Sequence, residues 1–126
     1  MKHLILILNY MKNLNDIRER YLKEPFNKRL GHLASDLARI SALLGNSKNK
    51  EAVDDILEES KFFIEWTVSE APSDVQTLLS EMQIKLAQLH LHLLHQKENP
   101  TEIDHLKRIT KTWSEQLLEI SGLLVK

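Results

Sequence analysis

The sequence predicts an all-α fold, an up-and-down bundle of four helices. Three observations predict it: apolar residues recur at spacings of three and four, breakers fall between those stretches rather than inside them, and residues that favour turns are scarce. The 126 residues include three Gly and three Pro, with 42% hydrophobic and 28% charged side chains. A chain of this length can bury one core without a staple, and it contains no Cys to make one.

The opening MKHLILILNYM carries an apolar run, Leu4 to Leu8, that is too short to span a membrane and lacks a signal-peptide cleavage site. It reads as a short apolar N-terminal arm or extension over residues 1–10, with a second plausible start at Met11 and a single helical-bundle domain over residues 11–126. A strand at residues 3–8 is the one departure from helix the pattern allows. Such a run needs burial against this chain or a neighbour.

The first helical region spans residues 14–44, where Leu22, Phe26, Leu30, Leu33, Leu37, Ile40 and Leu44 share one face. Pro25 lies within it and removes a backbone bond, so the region is kinked or broken there. Gly45-Asn46 closes it. The second helix, residues 50–70, carries Val53, Leu57, Ser60, Ile64 and Thr67 and ends at Ala71-Pro72. Ser73 and Gln76 then form a capping-box pattern for the third helix, residues 74–97. Asn99-Pro100-Thr101-Glu102 opens the fourth, residues 100–124, with an N-cap and a proline at the first helical position. Its stripe is Ile103, Leu106, Ile109, Trp113, Leu117, Ile120 and Leu124. Leu37, Met82, Leu86, Leu89, Trp113 and Leu117, at the centres of these stripes, should be buried together.

Helix three differs from the others. Val75, Leu79, Met82, Leu86, Leu89 and Leu93 form one stripe, and Ile84, Ala87, Leu91 and Leu94 form a second on the opposite side. A helix apolar on two faces needs cover on two faces. The second stripe is therefore the predicted interaction surface, covered by a second copy in a homodimer or by the N-terminal arm, with Gln88 and His95 at its rim. Phe62 and Trp66, one turn apart on helix two, read as a core edge or a partner's anchor.

Chemistry has little to stand on. No cysteine means no thiol nucleophile or thiolate zinc site, and no Gly-rich phosphate loop, serine elbow or zincin motif occurs. Six histidines are present. His92 and His95 share a helix face while His90 points elsewhere, and Glu102-Ile-Asp-His105 has di-iron spacing without the second copy that architecture uses. Asp54, Asp55, Glu58 and Glu59 read as a solvated face rather than a cation site. No metal, cofactor or catalysis is expected.

His32 follows Gly31 within a long helix and resembles the phospho-accepting histidine of phosphotransfer domains and histidine-kinase dimerisation helices. It departs from them at Leu33 and at Ser35-Asp36. The resemblance implies a signalling component with His32 as acceptor, an alternative to a self-associating interaction module. Charge is segregated: residues 11–50 hold nine Lys or Arg against four acids, and residues 51–82 nine acids against Lys61 alone. The two blocks are expected to attract each other. Arg18, Arg20, Lys23, Lys28, Arg29 and Arg39 lack interleaved aromatics, so a nucleic-acid-associated bundle is the third reading. No membrane partner is expected, and the cytoplasm is the expected setting.

Overall fold

The structure is a computed structural model describing residues 2–95 and 99–122, apart from the side chain of His95. It is all-helical, with no strand among the described residues: α1 (Lys2–Lys23), α2 (Phe26–Leu43), α3 (Lys50–Thr67), α4 (Ser73–His95) and α5 (Pro100–Ser121). Single 3-10 turns at Ser47–Asn49 and Val68–Glu70 join α2 to α3 and α3 to α4.

Each break has a local cause. Pro25 lies between α1 and α2, where its missing N–H and fixed ring stop one helix from becoming one long rod. Gly45 takes φ +94°, the left-handed turn that only glycine enters without strain. Asn99 caps α5 by accepting from the backbone N–H of Thr101 at 3.0 Å and of Glu102 at 3.4 Å. Ser73 is already helical, so it opens α4 from inside rather than capping it. The expected helix ends at residues 96–97 and 123–124 lie outside the described residues.

The first segment differs from its sequence reading. Residues 2–10 are helix, not strand, and form the N-terminal part of α1, continuous to Lys23. No Gly or Pro interrupts residues 2–23, and leucine sustains a helix as well as it fills a strand. There are thus five helices where four were expected.

α2 and α5 run antiparallel, as their paired contacts show. On α2 and α5, Ser114 Oγ donates to the Ala34 carbonyl at 2.6 Å and Ser41 Oγ to the Lys107 carbonyl at 2.7 Å, so one helix climbs as the other descends. Arg29 pairs with Glu70 across α2 and α3. His90 faces Lys61 across α3 and α4, and His92 faces Glu102 across α4 and α5. α2 lies between α3 and α5, α4 packs on α3, and α1 touches α3.

The core follows the predicted stripes, except at Leu22 and Ile120, which are exposed. Leu30, Leu33, Leu37, Ile40, Leu57, Ile64, Leu79, Met82, Leu86 and Leu117 are all fully buried. Trp113 is the exception among the six expected at the centre. It is half-buried, with the Lys85 ammonium 5.9 Å from its ring centre, because α4 and α5 leave a cleft of about 350 Å³ between them.

Candidate interaction surfaces

On α4 the first stripe turns inward and the second does not. Val75, Leu79, Met82, Leu86 and Leu89 are buried, whereas Ile84, Leu91 and Leu94 keep 61%, 59% and 52% of their surface in water. Ala87, between them, is half-buried. Positions 84, 87, 91 and 94 step by three, four and three residues, so the exposed side chains stand on adjacent turns of one face. The N-terminal segment does not fold back over this face, since it continues α1, which touches α3. Gln88 is exposed at one edge; the His95 side chain lies outside the described residues.

Phe62 and Trp66 stack with ring centres 5.5 Å apart and line a second surface, a cleft of about 380 Å³ between α1 and α3. Tyr10, Leu14 and Ile17 form its α1 wall; Ile56, Phe62, Phe63 and Trp66 form the α3 wall. Asp55, Glu58, Glu59 and Arg39 edge it. Further along the α1–α3 seam lies Tyr21, the one buried side chain of α1. That ring stacks flat on Phe63 at 4.1 Å, and its hydroxyl lies 2.8 Å from Thr67 Oγ1 and 3.2 Å from the Arg29 carbonyl. Burial pushes the Tyr21 phenol up to about 12, although the Thr67 bond and nearby Arg29 oppose it. Further out, the Tyr10 hydroxyl donates to Glu58.

Two charged groups of α2 are buried toward α3. Arg29 forms an ion pair with Glu70 and covers the Phe26 ring at 5.8 Å. Asp36 is only 4% exposed. Desolvation, then a side-chain bond to Glu59 and the charge of Glu59, raise its carboxyl from 3.8 to about 8 against the pull of Arg39, whose Nη1 lies 3.5 Å away. Two carboxyls can bond only when one carries a proton, and the buried Oδ2 of Asp36 meets no N–H donor. The attraction expected between basic and acidic thirds is present at the Arg29–Glu70 pair on the α2–α3 seam.

The histidines are dispersed. His32 is exposed on α2, its ring 6.5 Å from that of Tyr21. The His90 Nδ1 lies 2.9 Å from Lys61 Nζ, and its Nε2 lies 3.6 Å from Asp54. His92 Nε2 is 3.1 Å from Glu102, and His105 lines the same α4–α5 cleft. Among the described residues no group of three or more His, Asp or Glu could hold a metal ion. The acidic series on α3 is divided: Asp54 turns to α4, Glu59 to α2, and Asp55 and Glu58 edge the α1 cleft. Two of the basic series, Arg29 and Arg39, face acids of this chain.

Sequence reasoning missed Tyr21, the Asp36–Glu59 pair and the α1–α3 cleft. A signal existed for Asp36, which falls within the Leu33, Leu37, Ile40 stripe and had to be buried with it. Among the described residues no helix is long and apolar enough to cross a membrane. Comparison with protein-family models, curated proteins and solved structures finds no match to this chain.

Proposed function

We propose that the chain is a non-catalytic interaction module, an up-and-down four-helix bundle of α2 to α5 with α1 laid along α3, that self-associates through the second apolar face of α4. The observation that carries this reading is the exposure of Ile84, Leu91 and Leu94 on one face of a helix whose other face is core. Large contiguous apolar patches are seldom left in water. A two-fold contact places Leu91 near its own symmetry mate and covers six such side chains at once.

Magnitudes set the strength of the contact. Removing the remaining surface of six half-exposed Leu and Ile side chains from water is worth on the order of 5–10 kcal/mol. Association costs about 4–15 kcal/mol in lost freedom. The two nearly balance, so the contact is weak and depends on concentration. Replacing Leu91→Glu together with Leu94→Lys introduces charge at its centre and leaves the core untouched. Light scattering should then show a chain of unchanged helicity whose assembly mass has fallen by half; an unchanged mass would rule the α4 face out.

The exposed position of His32 favours one rival, a phosphotransfer component. Incubation with small phosphodonors followed by detection of acid-labile phosphate on His32, absent in His32→Gln, is the outcome that supports this rival.

A further inference from the structure

Beside the apolar N-terminal half of α1, which is bare on every side, lies the apolar α1–α3 cleft. We propose that the one fits the other across a second two-fold contact, with residues 4–8 of one copy seated in the cleft of its partner. This interface is independent of the α4 face.

Leu4, Ile5, Leu6, Ile7 and Leu8 are each 55–65% exposed. Successive helical residues step by about 100°, so these five point in every direction around the axis. A flat protein face covers one side of a helix and leaves the others wet. A groove between two helices covers two or three sides, the mode by which helices dock into apolar grooves. The cleft offers such a groove, about 380 Å³ between Tyr10, Leu14 and Ile17 on one wall and the Phe62–Trp66 stack on the other.

Charge selects this chain's own segment as the occupant. Between residues 2 and 15 stand Lys2, His3 and Lys12 and no acid. Asp55, Glu58 and Glu59 edge the cleft, and its one cation, Arg39, already faces Asp36. An apolar segment with basic flanks therefore meets an apolar groove with an acidic rim.

The chain's layout makes the exchange reciprocal. The segment lies on α1 immediately before the residues that wall the cleft. When two α1 helices cross antiparallel near Asn9, the residues before the crossing in each copy meet the wall residues of the other, and Lys2 falls opposite Asp16. Both copies are satisfied at once, so the contact closes instead of propagating. Together with the α4 contact it gives each chain two different two-fold partners.

The test uses the full chain carrying Leu91→Glu and Leu94→Lys, in which the α4 contact is removed. Sedimentation should show a dimer, and adding Leu4→Gln, Leu6→Gln and Leu8→Gln should halve its mass; these positions are exposed, so helicity measured by circular dichroism stays unchanged. The absence of native Cys allows a second readout. Chains with Leu6→Cys mixed with chains with Glu59→Cys should give a disulfide-linked dimer under mild oxidation, at least tenfold more than either alone. A mass indifferent to the glutamines, or no excess cross-link in the mixture, overturns the proposal. So does a monomer that instead co-sediments with anionic phospholipid vesicles in a manner requiring Leu4 to Leu8, which assigns the segment to a lipid surface. If the α4 reading alone fails, the Leu91→Glu, Leu94→Lys chain keeps the wild-type mass while the glutamines still halve it.

Discussion

Asp36 shows how one buried group ties the α2–α3 seam to pH. Its folded value, about 8, stands above its ordinary 3.8, so the folded chain holds a proton that the unfolded chain releases. The stability that depends on that proton is complete below about pH 4 and is lost as pH rises toward about 8. Urea unfolding should therefore show the wild type weaker at about pH 9 than at about pH 5. Asp36→Asn, which keeps a donor for Glu59 and cannot ionise, should lose much less over the same interval; equal losses in both chains would show that Asp36 does not carry the proton. Tyr21 is the other residue on which packing turns, since it anchors the end of α1 by stacking on Phe63 and bonding Thr67. Tyr21→Phe keeps the ring and leaves the Thr67 hydroxyl without that partner, so it should cost about 1–3 kcal/mol. A cost near zero would mean the hydroxyl bond contributes nothing to holding α1.

Among the helices, what the sequence made legible was whatever a polar face outlines. α2, α3 and α5 each bury one stripe against a polar opposite side, α4 buries one of its two apolar stripes, and the helix ends carry chemistry that can be named in advance: Pro25, Gly45 and the Asn99 cap. The start of α1 was not legible for the converse reason, because Leu-Ile-Leu-Ile-Leu has no polar side and so displays no period. Trp113 was misjudged because a stripe gives direction and not depth; it faces α4, but the two helices stand apart there and leave it beneath Lys85. The two faces of α4 allow a direct comparison. Leu86→Ala, at a fully buried position, should cost about 2–5 kcal/mol. Ile84→Gln, two residues earlier on the exposed face, should change the stability of the isolated chain by no more than about 0.5 kcal/mol. Chemical unfolding of both variants at low protein concentration checks this, and similar costs at the two sites would mean the α4 faces are assigned wrongly.

At the scale of the whole molecule, the contrast is between a well-filled interior and an unusually bare exterior. The stripes of α2, α3 and α4 meet with Leu33, Leu37, Leu57, Leu79 and Leu86 fully buried, while the apolar residues of the N-terminal half of α1 and of the outer face of α4 remain in water. The second stripe of α4 was legible as a surface because the sequence showed apolar residues on both sides of one helix. The α1–α3 cleft was not, since it depends on two helices parting, which no single-helix pattern records. The clefts beside these surfaces are edged by residues already paired within the chain, such as Glu58, Arg39 and Glu102. Association is the activity we propose for these surfaces. The most direct test is sedimentation velocity of the wild-type chain over a hundredfold range of concentration. The account predicts a mass that rises from that of the 14.7 kDa chain to at least twice that value as concentration increases. A single 14.7 kDa species throughout, with Ile84, Leu91 and Leu94 still open to solvent, would contradict it.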